Sequence, residues 1–220
     1  MTRMQRHHVL LSVSAVLAAS LAVIGCASAP TAADLDRQTQ AMMHASFQAK
    51  GIAGLDRLDQ DAVQAACSSP TGAPEAAAKQ IEAAEFAQIR WPEGGRYIGD
   101  WKVGEKLAQN GRGMTWSDQS TDPATNGAQC YNCHQITKQE ISYGTIGPSL
   151  YNYGKIRGVK NLNDPASAPI IQYTWGKLWD SKAYSACSTM PRFGHGKLLN
   201  EQQLRDVMAL LLDPQSPVNQ

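Results

Sequence analysis

Apolar positions recur at helical spacing along most of the chain. A moderately amphipathic helix is predicted from about 35 to 50, in a mixture of Ala, Gln and Met, where Met42, Met43 and His44 read as surface and packing residues. A second runs over 56–67, with Leu58 and Val63 among polar residues, and stops at Ser68-Ser69-Pro70. The third spans about 74–89, with Pro74 just inside its start and Glu75 in the first turn, where the macrodipole favours an acid. Trp91-Pro92-Glu93-Gly94-Gly95 ends it. A fourth, over 100–110, turns Trp101, Leu107 and Ala108 inward and contains Gly104. Glycine there costs about 1 kcal/mol against alanine, so a close helix crossing is expected at that point. After a polar loop over 117–127, the next helix opens behind Pro169 and runs to about 184, with Ile170, Ile171, Trp175, Leu178 and Trp179 on one broad apolar face. Both tryptophans read as core. Asn200 and Gln203 form a capping box for the last helix, whose Leu204, Val207, Met208 and Leu211 make an i, i+3, i+4, i+7 stripe before Pro214 closes it. The expected fold is all-α.

The first 29 residues follow another pattern. Arg3 and Arg6 precede a nearly unbroken apolar run from Val9 to Ile24, followed by small residues, as in an export signal. The run is short for a bilayer span and no basic stop-transfer flank follows. Two processing boxes overlap: Val23-Ile24-Gly25-Cys26 has the form of a lipoprotein box, and Ala27-Ser28-Ala29 that of ordinary signal peptidase. Pro30 would follow the second cut, which disfavours it, so lipidation of Cys26 and a place on a membrane surface are the expectation. The domain plan is then a signal over 1–29, a helical extension over 30–99 and a C-terminal domain over 100–220. Composition adds only exclusions: 43% hydrophobic and 18% charged residues suit a soluble globular chain, and a net charge of +1 without basic runs gives no support for nucleic-acid binding.

Cys130-Tyr131-Asn132-Cys133-His134 carries the chemistry. Cys-x-x-Cys-His is the attachment signature of haem c: two thiols for thioether bonds and an adjacent imidazole as proximal iron ligand. A zinc site would need a second close ligand pair, which the sequence lacks, and a thioredoxin-like pair would sit in a βαβ pattern, whereas nothing near it is strand-rich. Downstream, Gly147-Pro148 prescribes a bend able to bring a backbone carbonyl to the Nδ1 hydrogen of His134. Pro191 keeps Met190 out of a helix, so its thioether is the expected sixth ligand, with Met208, Met114 and His195 as weaker rivals. Lys155, Arg157 and Lys160 read as solvated charges. With Cys130 and Cys133 assigned to haem and Cys26 to the signal, Cys67 and Cys187 remain as a disulfide pair in an oxidising compartment. An iron closed by His and Met suits electron transfer, and no nucleophile-base pair or carboxylate cluster points to bond-making by this chain.

From Gly104 onward this order of motifs resembles a class I cytochrome c. More narrowly, Gly111-Arg112-Gly113-Met114-Thr115-Trp116-Ser117, the Cys130–His134 motif with Gln135, Gly144-Thr145-Ile146-Gly147-Pro148-Ser149-Leu150 and Met190-Pro191-Arg192-Phe193-Gly194 are similar to the SoxX family, the monohaem subunits of thiosulfate-oxidising SoxAX complexes. The resemblance implies a non-catalytic redox subunit beside a SoxA-like haem protein. That complex joins thiosulfate to a cysteine of the carrier SoxYZ and passes electrons to a small soluble cytochrome c. Carried over to this sequence, Cys130 and Cys133 hold the haem and His134 and Met190 ligate it. A freestanding periplasmic electron carrier is the alternative, and a haem-based sensor with a displaceable sixth ligand is a third.

Overall fold

A computed structural model describes residues 29–220; the export signal and Cys26 lie outside the described residues. The helices are α1 (Ala32–Ser46), α2 (Ala62–Cys67), α3 (Glu75–Ala87), α4 (Trp101–Gln109), α5 (Tyr153–Ile156), α6 (Ala168–Trp179) and α7 (Glu201–Leu212). Short 3₁₀ turns join them, among them Leu55–Leu58, Cys130–Asn132, Ser181–Ala183 and Pro217–Asn219. An isolated bridge between Lys50 and Ala53 is the only β pairing among the described residues. The chain forms two compact units, one ending at Phe47 and one spanning Gln48–Gln220. Residues 48–99 of the extension therefore share a unit with the C-terminal half.

Local chemistry explains where the helices begin. Helix α1 starts at Ala32, earlier than its apolar spacing predicts, because Thr31 and Asp34 make a reciprocal capping box. The predicted 56–67 helix divides. Asp61 caps the chain afresh with Gln64, so a 3₁₀ turn over Leu55–Leu58 precedes the shorter α2. Pro74 sits at the N-cap of α3, one position before the expected place. Helix α6 stops at Trp179 and not near 184, because Asp180 accepts from the Lys182 backbone N–H and starts a 3₁₀ turn. Asn200 and Gln203 form the expected box at the start of α7.

The core of the second unit is built on α7. Leu204, Val207, Met208, Leu210 and Leu212 are all but removed from solvent, which at about 25 cal/mol per Å² makes this helix a major source of stability. Helix α4 crosses it at Gly104. A Cβ there would lie 2.1 Å from the Asp206 carbonyl oxygen and 2.6 Å from its carbon, inside any real contact distance. Gly104→Ala thus gains about 1 kcal/mol of helix propensity but forces two backbones apart, an overpacking cost of about 1–3 kcal/mol or more. The net expectation is destabilisation, read as a lower urea midpoint at unchanged slope. An unchanged or raised midpoint would refute the crossing.

Trp175 is 1% exposed, and its indole N–H donates to the Arg90 carbonyl at 2.9 Å. Trp179 stacks on it at 6.3 Å and is half-buried, with Gly194 against its ring. The C-terminal turn Pro217–Asn219 was not legible in the sequence. Val218 is fully buried, and the Asn219 side chain accepts from Gly154 N–H and donates to the Leu211 and Asp213 carbonyls, tying the chain end to α5 and α7.

Candidate haem site

The polar loop before Cys130 is fixed from α7 and from the segment just before it. Gln203 donates to the Pro123 carbonyl at 2.8 Å, and the buried Asn126 donates to the Leu198 carbonyl at 2.9 Å. Gln129 then adopts a left-handed conformation, and Cys130–Asn132 form a 3₁₀ turn. The His134 N–H donates to the Cys130 carbonyl at 2.9 Å, closing the motif into one compact loop. Cys130 and Cys133 are free thiols, not bonded to each other. Burial pushes the Cys130 thiol up to about 12, so it stays protonated at neutral pH. That is unlike the low-pKa attacking thiol of a dithiol redox pair.

The following segment folds back against this loop through backbone hydrogen bonds. Gly144 N–H donates to Tyr131, Gly147 N–H to Cys133 and Leu150 N–H to Gln135, at 2.7 to 2.9 Å. The bend at Gly147-Pro148 places the Pro148 carbonyl 2.6 Å from His134 Nδ1. A carbonyl can only accept, so Nδ1 carries the hydrogen and Nε2 holds the lone pair. Gly147 lies flat against the imidazole, where a Cβ would come 2.1 Å from Cε1. The ring's direction and tautomer are thereby both set, the arrangement that metal-bound histidines commonly show.

Met190 lies on an irregular loop after the Ser181–Ala183 turn. It is half-buried and packs on the core. Its carbonyl accepts from the fully buried Ser181 hydroxyl at 2.6 Å, and its N–H donates to Ser188 at 3.3 Å. The extension straps this loop from the other side. Cys67 and Cys187 are joined by a disulfide, and Glu82 accepts from Ala186 N–H at 3.1 Å. The Phe86 ring meets Tyr184 edge-on at 5.9 Å. Apart from the cysteines, the strap residues Glu82 and Phe86 carried no signal in the sequence, because their partners lie about 100 positions away, and nor did Ser181. Of the rivals to Met190, Met208 is fully buried on α7. Met114 takes positive φ in the loop that receives the Arg57 guanidinium. His195 turns Nδ1 to Asp180, 2.9 Å away. Lys155, Arg157 and Lys160 are exposed, and Arg157 stacks over the Tyr153 ring at 3.8 Å.

Comparison with known proteins adds the family. The cytochrome c profile matches residues 124–213, from the loop before Cys130 through the end of α7. An Aquifex aeolicus (strain VF5) protein called "Uncharacterized lipoprotein" is 34% identical over 165 residues, covering 73% of this chain and 73% of its own. Residues 124–213 are a cytochrome c family domain, and the chain belongs to one family with that lipoprotein. It is a c-type cytochrome-like electron-transfer protein with an all-α fold, and its cytochrome c domain has the capacity to bind haem.

The residues present fit that group. Two unpaired thiols stand beside an imidazole whose Nδ1 is committed and whose Nε2 lone pair is available. A thioether on a tethered loop of the same domain would suit the iron as a soft ligand.

Proposed function

We propose that this cytochrome carries one covalently attached haem c on Cys130 and Cys133, with His134 and Met190 as axial ligands, and passes single electrons between protein partners. The observation that carries the reading is the 2.6 Å contact of His134 Nδ1 with the Pro148 carbonyl. It holds the ring in one orientation, raises its basicity and leaves Nε2 as the donor atom. Bound haem supplies the one-electron couple. The chain's own part is to hold the imidazole rigid, exclude water through the apolar packing around Tyr131, Leu150 and Met190, and keep the sixth ligand in place through Ser181. A closed His/Met site exchanges electrons without offering a coordination position to substrate.

A freestanding exported electron carrier meets these requirements. The lipobox at Cys26, together with a relative called a lipoprotein, supports a lipid-anchored periplasmic location. A second reading, as a SoxX-like redox subunit of a SoxAX complex acting on SoxYZ-bound thiosulfate, is favoured by the order of its motifs and by the extension strapped to the Met190 loop. Affinity purification of the tagged full chain from its native host separates the two. A second haem polypeptide at equal stoichiometry, with thiosulfate-dependent reduction of the cytochrome, is expected of a SoxAX subunit. Recovery of the cytochrome alone, unreduced by thiosulfate in the presence of cell extract, leaves the carrier reading and removes the SoxX one.

A further inference from the structure

Glu85 of α3, Asp180 at the end of α6 and His195 after the Met190 loop converge in the second unit. One ligand-type atom from each lies within 4.8 Å of the other two. Asp180 is fully buried and Glu85 is 5% exposed. Their outer oxygens are accounted for: Asp180 Oδ1 accepts from Lys182 N–H at 2.9 Å, and Glu85 Oε1 faces Arg192 Nη1 at 3.5 Å. The inner oxygens, Glu85 Oε2 and Asp180 Oδ2, are buried with no hydrogen-bond partner. Yet His195 Nδ1 stands 2.9 Å from Asp180 Oδ2 and 3.6 Å from Glu85 Oε2.

Two buried carboxylates need compensation, because an unpaired buried charge is costly. Arg192 supplies one positive charge, loosely: it lies 3.9 Å from Asp180 Oδ2 and is shared with Asp61 at 3.4 Å, beyond the 2.7–2.9 Å or so of a close charge-assisted bond. His195 Nδ1 is the further group that faces both inner oxygens. The geometry points to a binding site for one divalent cation of the zinc class, with His195 Nδ1, Asp180 Oδ2 and Glu85 Oε2 as its protein ligands.

A close contact that makes no hydrogen bond is what such a site predicts. The nitrogen lone pair aims at the cation, and with metal–ligand distances of about 2.0–2.2 Å the neighbouring oxygen lies roughly 3 Å from the nitrogen but off its axis. One imidazole with two carboxylates suits a borderline cation. Lys182 N–H and Arg192 secure the outer oxygens, as partners of ligating carboxylates do. Burial and the charge of Asp180 raise the Glu85 carboxyl above its ordinary value. The cation would join three segments that hold the Met190 loop. The site's residues are independent of the haem assignment.

The test uses the full-length, haem-loaded protein, stripped with chelator and titrated with Zn²⁺ by calorimetry. Zinc X-ray absorption then reads the coordination shell. Expected are one zinc per chain, a shell of one nitrogen and at least two oxygens, and affinity reduced at least tenfold in His195→Gln and Glu85→Gln but not in His44→Ala. Absence of zinc binding at 10-fold molar excess, or uptake unchanged in both site variants, overturns the proposal. Should either variant misfold, the wild-type absorption spectrum decides, and a shell without nitrogen or containing sulfur overturns it equally.

Discussion

Removal of the disulfide, as Cys67→Ser with Cys187→Ser, is expected to lower unfolding stability by about 3–5 kcal/mol in the entropic account of a loop this long. The bond closes 120 positions of sequence, so the unfolded chain loses much of its freedom when it is present. The native contacts across the same strap are Glu82 to Ala186 N–H, the Phe86–Tyr184 edge contact and the Arg192 guanidinium, shared by Asp61 at 3.4 Å and Glu85 at 3.5 Å. At roughly 0.5–1.5 kcal/mol net for each hydrogen bond, they do not replace the cross-link. Urea unfolding should show a lower midpoint and a steeper slope, because the unlinked chain exposes more surface. A loss under about 1 kcal/mol would mean that the unfolded chain is already held compact by other means.

Met190→Ala is expected to change the iron centre most. The weak near-infrared methionine-to-iron band should vanish, carbon monoxide should bind the reduced protein, and the reduction potential should fall by on the order of 0.1 V or more, within the roughly 0.8 V that axial ligands span. The direction follows from the thioether, which favours the reduced state. Met190 reaches its place by backbone restraint: Pro191 follows it, the Ser181 hydroxyl holds its carbonyl at 2.6 Å, and Cys187 anchors the loop behind it. An unchanged band in Met190→Ala would remove it as the sixth ligand. His195 directs its Nδ1 to Asp180 at 2.9 Å instead.

Much of this molecule can be read without coordinates. The Cys130–His134 motif, the capping box of Asn200 and Gln203, and the stripe Leu204, Val207, Met208 and Leu211 are local signals, each encoded within a few positions. Gly104 could be read as a crossing point because a helix interior tolerates glycine poorly without a reason. The Cys67–Cys187 pair followed from counting thiols. Helix ends were less legible where a polar residue restarted the chain, as Asp61 and Asp180 do.

The sequence by itself determined the helical class, the Cys-x-x-Cys-His motif and the presence of a thioether on a proline-pinned loop, because periodicity, short motifs and backbone restriction are properties of neighbouring residues. Only the tertiary structure decided what lies opposite Gly104, which carbonyl orients His134, how α2 and α3 strap the Met190 loop, and that Glu85, Asp180 and His195 meet. Those depend on which distant segments share the core, and burial raises the worth of each polar contact made there by removing competing water.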